Sequence, residues 1–146
     1  MATVESMLND KGKVIFSLAP DKTIQDALKL MADKDVGAVL IMENDKLLGI
    51  FTERDYARKG TLQGNPVTTP LKDVMTRQVY FVGPDQSAEE CMAQMVDKRF
   101  RHLPVVKDGK VVGVISITDV VKTVISDKET LIAGMENFRV GMELMQ

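Results

Sequence analysis

The chain has 146 residues, 45% of them apolar and 27% charged, with a formal net charge of −2. Those values suit a soluble globular fold of one domain or two small ones sharing a core, and they give no global basic field for nucleic acid. A single cysteine (Cys91) and a single histidine (His102) exclude an intramolecular disulfide and a His/Cys metal set. No apolar run reaches membrane-spanning length, and MATVESMLNDKGK lacks a basic start and a long apolar core, so a cytoplasmic protein without a signal peptide is expected.

In chain order, VESML (4–8) reads as a short lead-in helix. VIFSL (14–18), β-branched and aromatic, reads as a strand ended by the turn pair Pro20-Asp21. Thr23-x-x-Asp26 is a capping-box pattern, and Ile24, Ala27, Leu28 and Met31 then recur at helical spacing. GAVLIM (37–42) reads as a buried strand, Asn44-Asp45 as a tight turn, and KLLGIF (46–51) as the return strand of a hairpin. It runs into GIFTERD (49–55), where a strand passes into a helix start carrying Thr52 and Asp55. The connector KGTLQGNPVTTP (59–70) is rich in Gly, Pro and Thr and reads as a loop.

The same series then returns: LKDVM (71–75), QVYFV (78–82), Pro84-Asp85, Ser87-x-x-Glu90, a helix on Ala88, Cys91, Met92 and Met95, HLPVV, the turn Asp108-Gly109, KVVGVIS, and GVISITD. Sliding the chain by 64 places residues 13–60 on 77–124 without a gap. Eight pairs are identical, among them Pro20/Pro84, Asp21/Asp85, Gly49/Gly113 and Asp55/Asp119. Such a register marks two copies of one β-α-β-β-α unit. One unit has a sheet too small to bury alone, so two packed sheet to sheet with a common core are expected. The expected organisation is repeat 1 at 4–60, a linker at 61–70, repeat 2 at 71–124, and a helical tail at 125–146 with Leu131, Ile132, Met135, Phe138 and Met142 partly on one face.

Thr52 with Asp55, and Ser116 with Asp119, carry two readings. The plain one is a capping box that uses Asp where Glu is usual. The other is recognition of a nucleotide: a helix start holds phosphate, a cap hydroxyl donates to it, and a carboxylate one turn in accepts from ribose hydroxyls.

The doubled unit ending in G-h-x-[T/S]-x-x-D resembles a pair of CBS domains, over about Val4 to Lys122. The chain is also similar to free-standing bacterial CBS-pair proteins. The resemblance implies a mixed α/β fold of two repeats related by a pseudo-two-fold axis. It implies a regulatory, non-catalytic module with two clefts for adenosine nucleotides such as AMP, ADP or ATP, with NAD(H) or S-adenosylmethionine as further ligands. A flat homodimer, signalling to an effector protein, goes with it. Carried over by position, one cleft would use Lys13, Val36, Gly37, Ala38, Arg101, His102, Ser116, Thr118 and Asp119. The other would use Thr52, Arg54, Asp55, Arg77, Phe100, Arg101 and His102. Arg54 stands where the second motif has Thr118, and Gly37-Ala38 where the second repeat has Arg101-His102, so the two clefts should differ.

Read by residue type, the cations suit phosphate, Phe100 suits a base or plain core packing, Arg58 a polyphosphate or solvent, and Cys91 the core. No nucleophile–base pair or catalytic carboxylate pair is found, which argues against an enzyme. A dimerising scaffold with vestigial clefts is the competing function.

Overall fold

A computed structural model describes residues 2–126. The helix expected in the tail lies almost wholly outside the described residues. The elements are α1 (Val4–Lys11), β1 (Ser17–Leu18), α2 (Ile24–Lys34), β2 (Ala38–Glu43), β3 (Lys46–Thr52), α3 (Glu53–Asp55), α4 (Ala88–Lys98), β4 (His102–Lys107), β5 (Lys110–Ser116) and α5 (Ile117–Ser126). This is the expected mixed α/β architecture: two sheets, ordered β1-β2-β3 and β4-β5, with helices packed on them.

The local signals act as their chemistry dictates. Asn44 and Asp45 both sit at positive φ (52° and 64°), as do Asp108 and Gly109 (52° and 78°), the geometry a two-residue hairpin requires. Each hairpin is antiparallel, and the register slips at the equivalent place, Ile41/Met42 and Val105/Val106. Thr23 and Asp26 cap α2 reciprocally. Ser87 accepts from the Glu90 amide at 3.1 Å to cap α4.

The first strands of the two repeats differ. Leu40 donates its amide to the Phe16 carbonyl at 3.0 Å, so β1 pairs parallel with β2. The residue equivalent to Leu40 is Pro104, which has no amide to give. Pairing in the second repeat therefore shrinks to one bridge at Val82, held by Val82 N–H to Pro104 O (3.0 Å) and Val106 N–H to Val82 O (2.9 Å). QVYFV, expected as a strand, is otherwise without regular secondary structure.

The lead-in segments exchange places. Val4, Met7 and Leu8 of α1 are buried with Val82, Ala88, Cys91, Met95, Leu103, Val105, Ile115 and Val120 of the second repeat. Leu71, Val74 and Met75 are buried with Ile24, Ala27, Met31, Val39, Ile41 and Phe51 of the first. Backbone bonds fasten each exchange. Val4 and Glu5 donate to Gln86 and Pro84, while Ile24 and Gln25 accept the connector by donating to Thr69 and Val67. The buried residues thus form two clusters, each completed by the other half's lead-in, where one shared core was expected. Leu40 and Ile50, register partners buried on the sheet's other face, lie outside both.

The lead-ins also explain the repeated glycine. A Cβ at Gly113 would meet Leu8 Cδ2 at 2.6 Å, and one at Gly49 would meet Met75 Sδ and the Thr76 carbonyl at 2.8 Å. Each strand needs a bare backbone where the exchanged segment crosses it. The second lead-in is only a 3-10 turn, Leu71–Asp73. After α3 the chain widens into a π-helix, Tyr56–Thr61, with Gly60 leaving room for the Tyr56 ring, whereas α5 runs regularly for 10 residues.

Candidate functional site

Both motif helices begin with a complete capping box. Thr52 Oγ1 accepts from the Asp55 amide at 3.1 Å and Asp55 Oδ2 from the Thr52 amide at 3.0 Å. Ser116 Oγ accepts from the Asp119 amide at 3.2 Å and Asp119 Oδ2 from the Ser116 amide at 2.8 Å. The plain reading of GIFTERD is therefore right as local structure. The strand ends are tied at the same level, Glu53 N–H to Gly37 O (3.1 Å) and Ile117 N–H to Arg101 O (2.8 Å).

Between these helix starts lies a cleft of about 960 Å³ built from both repeats. Of the residues singled out by sequence, it gathers Gly37, Thr52, Arg54, Asp55, Arg58, Phe100, Arg101, His102, Ser116 and Thr118. Residues expected in two separate clefts thus meet along one. Five cations line it, Arg54, Arg58, Lys98, Arg99 and Arg101, against two acids, Glu53 and Asp55. In a chain of net charge −2 this is a local positive field, the arrangement that concentrates a phosphorylated anion.

Five expected residues lie outside this cleft. Val36 packs on the first core cluster. Arg77 is exposed and donates to the Lys72 carbonyl at 2.8 Å, away from the cleft. Lys13 is exposed between α1 and β1, and Ala38 is committed to the sheet opposite Thr52. Asp119 is also absent from the cleft wall, and Lys11 Nζ contacts its Oδ2 at 2.6 Å. Lys11 was not foreseen: nothing in the sequence says that α1 docks on the second repeat.

The wall holds other residues that the sequence did not flag. Tyr80, the repeat partner of Phe16, stacks on Phe100 with ring centroids 5.4 Å apart and planes 10° from parallel. Lys98 Nζ lies 5.6 Å from the Tyr80 ring centroid. The pair forms an aromatic platform with a cation over the Tyr80 ring, which leaves the outer face of Phe100 as the surface for a flat base. Arg99 ends α4 in the left-handed region, and its carbonyl accepts from Arg54 Nη1 at 2.8 Å, a bond that joins the two repeats across the cleft.

His102 stands at the junction, its ring within about 3.6 Å of where a Cβ on Gly37 would be. Burial lowers its pKa, helped by Lys11 and Arg101 and opposed by Asp119, so near pH 7 it is neutral and can both donate and accept. For Asp119, burial pushes the carboxyl up, but the bonds from Lys11 and the Ser116 amide outweigh it and leave it below its ordinary value. Among the described residues there is no group of His, Cys, Asp and Glu able to hold a metal, and no helix is long and apolar enough to cross a membrane.

Known proteins match this arrangement. The CBS domain family matches residues 12–60 and 71–126. A mitochondrial CBS domain-containing protein of Arabidopsis thaliana is 36% identical over 135 residues, which span 86% of this chain and 66% of that protein. A solved protein with CBS domains from Burkholderia ambifaria is 45% identical with a TM-score of 0.84, covering 88% of this chain and 97% of that one. A CBS domain pair solved in complex with 5′-methylthioadenosine and S-adenosyl-L-methionine shares the fold at a TM-score of 0.77 and 24% identity, covering 88% and 99%. The chain therefore belongs to the CBS domain family, as a tandem pair.

Proposed function

We propose that this chain is a regulatory sensor of adenosine ligands, of the AMP, ADP or ATP type, with NAD(H) and S-adenosylmethionine as further candidates. One observation carries the reading: a cationic cleft with an aromatic platform, flanked by two capped helix starts and built from both repeats. The adenosine-type ligands of a related CBS pair support it. Phosphates would meet Arg54, Arg58 and Arg101, the ribose would meet Asp55, and the base would lie near Tyr80 and Phe100. Because both repeats form the wall, a ligand with different affinity for two arrangements of the repeats would shift the balance between them. A homodimer in the cytoplasm would pass that change to an effector protein, and the chain itself would not be catalytic.

A second reading, a dimerising scaffold, draws on the capping boxes, whose hydroxyls and carboxylates already serve the helix starts. Calorimetric titration with AMP, ADP, ATP, NAD(H) and S-adenosylmethionine separates the two. Saturable binding, weakened at least about tenfold in Asp55→Asn, is the sensor's signature, since a lost charge-assisted bond is worth about 1.5–3 kcal/mol. Asparagine retains an oxygen for the cap, so the helix start survives. Silence with every ligand on folded protein would leave the scaffold.

A further inference from the structure

The carboxylate of Asp55 is already partly committed. Its Oδ2 is held against the Thr52 amide at 3.0 Å, as the cap requires. Its Oδ1, the outward oxygen, accepts from the Thr76 hydroxyl at 3.2 Å, with Lys59 Nζ 3.7 Å away. A carboxylate oxygen has two lone pairs, so Oδ1 keeps one acceptor position. One position takes one hydroxyl, and a ribose brings two.

Thr76 supplies a second acceptor. Lys59 Nζ donates to its Oγ1 at 3.1 Å while the Thr76 hydrogen goes to Asp55, so the direction of the hydroxyl is set and one lone pair stays open. Asp55 and Thr76 both line the cleft, whereas Lys59 is absent from its wall. Two acceptors 3.2 Å apart thus share one wall, a spacing that neighbouring hydroxyls of one sugar ring can span.

The backbone fixes Thr76 in this place. Its amide donates to the Ile50 carbonyl at 2.9 Å, and the Ile50 amide donates to its carbonyl at 3.0 Å. Met75, the residue before it, is buried over Gly49. The second motif has no such pair, since Gly12 stands at the position of Thr76 and Thr123 at that of Lys59.

We infer that Thr76 is a ribose-recognising residue of the first motif. Its hydroxyl and Asp55 Oδ1 each accept one of the two vicinal hydroxyls, which selects ribonucleotides over deoxyribonucleotides. This rests on the adenosine-ligand reading and adds that the lead-in of the second repeat touches the ligand.

The test is calorimetric titration of wild type, Thr76→Val, Thr76→Ser and Asp55→Asn with AMP, 2′-deoxy-AMP and 3′-deoxy-AMP. Wild type should bind AMP at least about twofold more tightly than either deoxy form. Thr76→Val should weaken AMP about two- to tenfold and erase the preference at one hydroxyl, Thr76→Ser should keep it, and Asp55→Asn should erase the preference at the other. Equal affinity of wild type for all three ligands overturns the contact without any variant. Equal weakening of all three in Thr76→Val also overturns it, because Thr76 then only holds Asp55 in place. AMP binding that Thr76→Val leaves unchanged, or loss of the same preference in Thr76→Val and Asp55→Asn, does so as well. In each of these cases the adenosine-ligand reading survives. If the folded wild-type chain binds none of the three, the contact falls together with the AMP-type reading.

Discussion

The two repeats share a frame and differ where they face the cleft. Four of the eight identical pairs sit at turns, caps and crossings: Pro20/Pro84 and Asp21/Asp85 at the turn into the helix, Asp55/Asp119 in the caps, and Gly49/Gly113 under the exchanged lead-ins. The cleft breaks the symmetry. Gly37-Ala38 leaves the first repeat small and uncharged there, while Arg101-His102 fills the same place in the second. Backbone geometry at a turn or crossing tolerates few residue types, whereas a cleft wall tolerates many.

Equivalent core substitutions give the largest test of this likeness. Phe51 and Ile115 occupy the same position in the two clusters, each fully buried. Phe51→Ala should cost about 3–5 kcal/mol and Ile115→Ala about 2–5 kcal/mol in urea unfolding. Because each cluster is completed by a segment of the other half, both variants should still unfold in one transition. Two separated transitions would mean that the halves are independent.

The glycine pair should show a smaller but unequal effect. A methyl at Gly49 runs into the Thr76 carbonyl, which is held by the Ile50 amide at 3.0 Å. One at Gly113 meets only the end of the Leu8 side chain. Overpacking of this kind costs about 1–3 kcal/mol, with Gly49→Ala the more costly of the two. Equal losses would mean that Leu8 is as unyielding as a backbone carbonyl.

Acid should separate the repeats next. The folded pKa of His102 lies below its ordinary value of 6.5, so the unfolded chain takes up the proton first. His102 therefore costs no stability well above pH 6.5 and subtracts increasingly as pH falls from 6.5 towards the folded value. His102→Asn should flatten that part of the stability curve, and a curve of unchanged slope would remove His102 as its source. The smallest effect is expected from Pro104→Leu. It restores the amide that Leu40 uses in the first repeat, adds a bond to the Tyr80 carbonyl worth about 0.5–1.5 kcal/mol, and gives a slowly exchanging amide at 104.

Much of this frame was legible beforehand, because turns, caps and periodicity are local. Asp108-Gly109 specifies its hairpin from two residues, and Thr52 with Asp55 specifies a helix start from four. The cleft was legible only in part. Arg54, Asp55 and Phe100 line it, but Tyr80 carried no signal beyond its match in type to Phe16, because its stacking on Phe100 joins residues 20 apart. Pro104 was visible in HLPVV, yet its consequence for QVYFV depends on which strand it faces.

The doubled β-α-β-β-α unit, its turns and its capped helices can be read from the chain alone, since each is set by residues within a few positions of one another. The crossing of the lead-ins, the opening of both motifs on one cleft and the meeting of Lys11 with Asp119 emerge only on packing. Those contacts join residues as far as 108 positions apart. No local preference encodes such a meeting; it follows from which apolar faces find cover when the whole chain packs.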